Sequence, residues 1–294
     1  MVKFQLYKFA YSSGLLILTI FLFTNVYAKQ DEGLSGKELM EQVYERHQAF
    51  PYIYEEQSIV LIDRNGKKDS RRAKRYSRME KDGSVKFLLL FDYPEEIRGV
   101  AVLAERNPDG NINKYLYLPA FGEQLLENVG GTNENNFLGT DFSVENLTGE
   151  NLDDYHYERR EDRIIDDQHF LVVDVYDNNI DIEMPIRRHF INFENLFITK
   201  THHFDRLGRI SRVQSQHDLK AVDGNMWRAN MMLMDDKKEN HRSLIKVSHR
   251  VFSKDYVPEE VFEAAWLYKQ YPYIEPEQIE VEEIINIFGE EVLQ

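Results

Sequence analysis

The sequence predicts a mainly β fold of the α+β class: a long antiparallel meander with a helix before its first strand and another after its last. Three observations predict it. Short alternating or continuously apolar segments recur between residues 52 and 252, separated by turn residues such as Asn65-Gly66, Asp82-Gly83, Asn107-Pro108-Asp109-Gly110, Leu207-Gly208 and Asp223-Gly224. Helical periodicity is confined to 35–48 and to the region beyond Pro258. The strand segments follow one another without intervening helical patterns, as hairpins in series do and parallel crossovers do not.

The first 28 residues read as an export signal. Lys3 and Lys8 precede an apolar run over 14–23, and Val26-Tyr27-Ala28 places small residues where a signal peptidase needs them. Cleavage is expected after Ala28, which puts the mature chain in the periplasm; an uncleaved anchor is the alternative reading. The run is short for a membrane span.

Ser35-Gly36-Lys37-Glu38 is a capping-box pattern, and Leu39, Met40, Val43, Tyr44 and His47 follow at helical spacing. The strand at 52–63 carries Ile59-Val60-Leu61-Ile62, apolar on both faces. Its partner at 67–78 crowds in Lys67, Lys68, Arg71, Arg72, Lys74, Arg75 and Arg78. That density reads either as an edge strand whose cations discourage sheet-to-sheet pairing, or as a docking face on Arg71, Arg72 and Arg75. Phe87-Leu88-Leu89-Leu90-Phe91, within 84–93, reads as a central strand covered on both sides. Pro94 breaks it, Arg98-Gly99 marks a bend, and a strand resumes over 100–104.

Tyr115 and Tyr117 then alternate with Leu116 and Leu118 until Pro119, and a short strand over 123–129 stops at Gly130-Gly131. After an Asn-rich loop at 132–136, Asp141 is placed to cap a turn running through Leu147. Strands at 155–163 and 168–176 form a hairpin about Asp166-Asp167, with Leu171, Val173 and Val175 on one face. Further strands are expected at 188–192, 197–205, 209–219, 225–234 and 243–252. In the last two, Trp227, Ala229, Met231 and Leu233, and then Ile245 and Val247, are taken to point inward, with Arg228 and Asn230 outward. A helix opens at Pro258, and a second helical pattern from 275 carries Ile284, Ile285, Phe288 and Val292.

Composition narrows the function classes. The chain of 294 residues has no cysteine, so it folds without disulfides and has no lipobox thiol to acylate. Its formal charge of −15 becomes −17 once Lys3 and Lys8 are removed with the signal, which argues against nucleic acid and against general adhesion to anionic membranes. There is no HExxH, GxSxG or P-loop, and the one adjacent histidine pair, His202-His203, projects to opposite faces of a strand. No catalytic set, cofactor or metal site is expected.

Three motifs give the chain a resemblance: the Arg98-Gly99 bend, the Tyr-Leu-Tyr-Leu-Pro-Ala run from Tyr115, and Phe-Leu-Gly-Thr-Asp-Phe-Ser-Val-Glu-Asn-Leu from Phe137. Together with the helix–meander–helix layout, they resemble the LolA-like outer-membrane lipoprotein-sorting family. The sequence departs from the family in Tyr115, Val144 and Asn146, where Trp, Tyr and Asp are frequent, and the resemblance ends near Tyr268. It implies an incomplete antiparallel β-barrel, a LolA/LolB-like half-barrel whose helices cover the concave side, around an apolar cavity that holds acyl chains. The implied domain spans 29–270, followed by an acidic helical extension over 271–294.

The candidate cavity lining is Leu89, Phe91, Leu116, Leu118, Leu171, Val173, Trp227, Met231, Leu233, Ile245 and Val247. Arg98, Gly99, Gly139, Asp141 and Phe142 read as a gate or, more simply, as the bends and caps of the fold. The expected function is a periplasmic carrier that passes a lipid or lipoprotein acyl chain from an inner-membrane exporter towards an outer-membrane acceptor. The alternatives are an adaptor of such an exporter, docking through Arg71, Arg72 and Arg75, and a hydrolase assembled from distant residues.

Overall fold

The computed structural model describes residues 33–47, 50–119, the backbone of 122–125, and residues 136, 138–143, 151–178 and 184–271. They belong almost wholly to one compact unit, Gly36–Gln294; the other, Met1–Ser35, lies nearly all outside them. The expected export signal, the turn expected through Leu147 and the helix expected from 275 also fall outside.

Helix α1 (Gly36–His47) is followed by thirteen strands in a single unclosed antiparallel sheet: β1 (Tyr52–Ile62), β2 (Lys68–Met79), β3 (Val85–Tyr93), β4 (Ala101–Arg106), β5 (Ile112–Leu118), β6 (Gly122–Leu125), β7 (Tyr155–Ile165), β8 (Gln168–Asp177), β9 (Arg187–Asn192), β10 (Ile198–Phe204), β11 (Ile210–Asp223), β12 (Met226–Asp236) and β13 (His241–Val251). Their order is β6-β5-β4-β3-β2-β1-β13-β12-β11-β10-β9-β8-β7. Two meandering wings therefore meet where β1 pairs with β13. The turn dipeptides do what their chemistry predicts: Gly66, Gly83, Gly110, Gly208 and Gly224 all take positive φ, as do Asp166 and Asp167 in the β7–β8 turn.

Two expectations are corrected. The basic strand β2 is no edge, because it pairs with β1 along its whole length and with β3. Its cations are accommodated by Asp69, Glu55, Glu80 and Asp92. The helix expected from Pro258 begins as a 3₁₀ turn over Glu259–Phe262, where Val261 and Phe262 are drawn onto the sheet; α2 (Ala264–Gln270) starts only at the better helix-forming alanine pair.

The sheet has a core on each face. On one, which we call the α1 face, Ile59, Ala73, Phe87, Leu89, Phe91, Val102, Leu116, Leu118 and Ile245 pack with Leu138 and Phe142. On the other, the α2 face, Tyr54, Tyr76, Leu88, Leu90 and Tyr117 pack beneath Val257, Val261, Phe262 and Leu267. The apolar run of β3 thus serves both cores.

Candidate functional site

The α1 face follows from strand alternation and the register. Ile59 faces Ile245, Ile245 faces Met232, and Gln216 faces Met232 across β1, β13, β12 and β11. The same face continues through Gln214, Thr201, His189 and Val173. Along it the lining changes from apolar on the β1–β5 wing to largely polar on β9–β11.

A short loop lies on the apolar part. Leu138 and Gly139 both have positive φ, 48° and 72°, and this double left-handed step turns Leu138 and Phe142 down into the core. Polar contacts hold the loop in place. Arg71 Nη1 donates to Leu138 O at 2.6 Å. The Asp141 carboxylate accepts from Ser243 Oγ at 2.7 Å and from His241 Nδ1 at 2.7 Å, and Asp141 N donates to Ser243 Oγ at 2.9 Å. A carboxylate oxygen only accepts, so His241 carries its hydrogen on Nδ1. Arg212 adds bonds to Asn136 Oδ1 at 3.0 Å and Asp141 O at 3.4 Å. Asp141 therefore latches the loop to β13.

Beside the apolar part sits a buried charge cluster. Glu55, 2 % exposed, accepts from Arg75 Nη1 at 3.0 Å, Arg250 Nε at 2.5 Å and Gln57 Nε2 at 2.7 Å. Burial alone would raise its pKa, but Arg75 and Arg250 outweigh burial and hold the carboxyl at about 2. Arg228 joins the same face from β12, and its pKa is pressed down to about 10 by burial and by the nearby Arg250 and Arg75 charges.

On the polar wing, His189 and Thr201 side chains meet at 2.8 Å, and both His189 and His203 are buried neutral. Burial and then the Arg187 charge lower His189 to about 3 and drive His203 well below its usual range. Helix α1 covers this wing: Val43, Tyr44 and His47 line a cavity of about 170 Å³ with Phe197, Ile198 and Gln216. His47 Nε2 bonds Leu196 O at 3.1 Å while Trp227 N donates to its Nδ1 at 3.2 Å, so the neutral ring pins the helix end, and burial keeps its pKa at about 4.

This architecture has relatives among solved structures. A domain described as that of an outer membrane lipoprotein-sorting protein from Vibrio parahaemolyticus superposes with a TM-score of 0.72 at 19% identity, covering 79% of this chain and 97% of the other. A DUF1329 family protein from Desulfovibrio piger gives 0.68 at 19% identity, covering 78% and 98%. A LolA superfamily protein from Nitrosomonas europaea gives 0.60 at 16% identity, covering 79% and 99%. A family model described as an uncharacterized protein matches residues 83–269. The chain belongs to that family and has the LolA-like fold. No curated protein matches it.

In this LolA-like sheet the expected lining residues divide. Leu89, Phe91, Leu116, Leu118 and Ile245 share the apolar core of the α1 face, and Leu171, Val173 and Val247 lie on the same face at β8 and β13. Trp227, Met231 and Leu233 do not: with Met232 opposite Ile245, their side chains fall on the other face, and Arg228, Asn230, Met232 and Met234 face inward. The cause is the run Met231–Met234, apolar at every position, from which alternation gives no parity.

The expected docking trio is also divided. Arg71 is buried under the loop and Arg75 pairs with Glu55, while Arg72 is exposed on the opposite face near Asp92 and the Tyr93 ring. Gly99 has a φ of 84°, and a Cβ there would meet the Tyr271 ring at 2.8 Å and Pro119 at 3.0 Å, so the bend serves the α2 face. Arg98 stands exposed beside it, paired with Glu95 at 3.3 Å. Sequence reasoning missed Glu55, Gln57, Arg228 and Arg250; the available signal was polar residues at the inward positions 55 and 57 of an otherwise apolar alternation.

Proposed function

We propose that this protein is a periplasmic carrier that binds a lipid or lipoprotein acyl chain on the apolar part of the α1 face. It passes the chain, without covalent chemistry or a cofactor, from an inner-membrane exporter towards an outer-membrane acceptor. Its binding domain spans 29–270 after removal of the signal at 1–28, and 271–294 forms an acidic extension. One observation carries this reading: Leu138 and Phe142 cover apolar strands, yet the loop that bears them is held by hydrogen bonds from Arg71, Ser243, His241 and Arg212. Such a cover can be exchanged for an acyl chain, whose burial contributes about 0.8 kcal/mol per methylene.

The fold relatives support a carrier role in general, including the protein whose description names lipoprotein sorting. Lipid extraction and mass spectrometry of the protein purified from a Gram-negative periplasm tests the reading, together with fluorescence of a Phe142→Trp variant during titration with a fatty acid. Co-purified acyl lipid is expected, as is a shift in the emission of the variant that the unsubstituted protein does not show. A lipid-free protein, with variant emission unmoved by any acyl chain, would overturn it.

A further inference from the structure

We infer that the α1 face carries a second subsite beside its apolar surface, a guanidinium cradle of Arg75, Arg228 and Arg250 that binds the anionic phosphate or carboxylate head of an amphiphilic ligand. The inference rests on the carrier reading for the ligand's acyl part and adds the class of its headgroup.

Arg75 and Arg250 share the single carboxylate of Glu55, and Arg228, near enough to feel the charges of all three, makes no ion pair among the described residues. In a chain of formal charge −15, this local surplus of positive charge is held in place at a cost, since like charges brought together under partial burial repel. Arg250 is engaged at all three of its nitrogens: besides Glu55 it donates to Asn230 Oδ1 at 3.0 Å and to Ala229 O at 2.8 Å. Arg228 is different. Among the described residues, of its five N–H donors only one on Nη1 is used, to Trp227 O at 3.0 Å, with the Phe252 ring 5.9 Å below the guanidinium. It is only half-buried, so part of the residue stays accessible from solvent. Burial and the neighbouring Arg250 and Arg75 also depress its pKa, which a bound anion would reverse.

The cradle and the apolar surface lie on the same strands of the same face. On β1, Glu55 and Gln57 are followed by Ile59 and Leu61; on β12, Arg228 and Asn230 by Met232 and Met234; on β13, Arg250 is preceded by Val247 and Ile245. Arg75 lies 5.5 Å from the centre of the Phe87 ring, so charge and apolar surface touch. Four residues of strand span about 13 Å. A ligand with an anionic head at Arg228 would therefore pass Asn230 and lay the far part of its chain along Met232, Ile245 and Ile59.

Calorimetric titration with three probes separates the possibilities: dodecyl phosphate, uncharged monododecanoylglycerol, and inorganic phosphate. Dodecyl phosphate is expected to bind at least about tenfold tighter than monododecanoylglycerol, the scale of one or two charge-assisted hydrogen bonds. In Arg228→Gln that preference should fall about tenfold, and Arg228→Lys should restore part of it; unchanged circular dichroism and melting would show both variants folded. Equal affinity for the two amphiphiles, or a preference that Arg228→Gln leaves unmoved, would overturn the cradle and leave the carrier reading standing. Phosphate binding that Arg228→Gln removes, with neither amphiphile bound, would keep the anion site and overturn the carrier reading. Failure of all three probes to bind would overturn both.

Discussion

The two wings of the sheet line the same face with different chemistry. Across β1–β5 the α1 face is built from Ile59, Ala73, Phe87, Leu89, Phe91 and Leu116, which need only shape to pack. Across β9–β11 it is built from Arg187, His189, Thr201, His203, Gln214 and Gln216, where burial is tolerated through polar contacts such as that between His189 and Thr201. The first wing is protected by apolar contact and the second by helix α1 and hydrogen bonds. Perturbations that act on charge should therefore open the second wing and spare the first.

One of the two largest effects is expected where the two chemistries meet. Glu55→Leu would leave Arg75 and Arg250 buried without their carboxylate, and unfolding in urea should show a loss of about 3–5 kcal/mol. A loss below about 1 kcal/mol, the scale of an exposed pair, would mean that the cluster is not structural. Phe91→Ala, on the apolar wing, should cost about 3–5 kcal/mol at every pH, since it removes a fully buried ring and leaves a cavity.

Acid should act on the other wing. His47, His189 and His203 are all held below the usual histidine pKa by burial. The unfolded chain therefore takes up protons as pH falls through about 6.5, while the folded chain resists until about 4 at His47 and about 3 at His189. The stability they contribute is complete above the unfolded value and is lost as pH falls across that window. Hydrogen exchange at about pH 5, inside that window, should accelerate in β9–β11 and at the end of α1 relative to β3–β5. Equal acceleration on both wings would erase the distinction. A smaller effect is expected from Asp141→Asn, which weakens the latch to Ser243 and His241 and should cost about 1–2 kcal/mol, read as faster exchange or proteolysis of the 138–143 loop.

The same contrast decides what was legible in the linear pattern. The strands of the β1–β5 wing could be read almost to their ends because Phe87–Phe91, Tyr115–Leu118 and the turn glycines state both period and stops. On the other wing the strands and the inward Leu171, Val173 and Val247 were legible, but the polar inward residues were not. Arg228 and His189 look like solvent-facing positions in a linear pattern, and only pairing with residues on neighbouring strands places them inside. The role of Asp141 was half legible: its capping chemistry pointed to a structural acceptor, but its donors, Ser243 and His241, are about 100 residues further along.

The seam between the wings has a consequence for how the molecule is assembled over time. Every other pairing in the sheet joins sequence neighbours, but Tyr54 on β1 pairs with Val251 on β13. Closing so long a loop is slow and gains nothing until both ends are in place. Each wing can zip up from local hairpins, whereas the middle of the sheet waits for the chain's far end. For a chain synthesised from its N-terminus, β1 would then remain an unpaired edge on that side until β13 has emerged. Pulse-labelled exchange during refolding should accordingly show β1–β13 amides protected after those of β3–β4 and β7–β8.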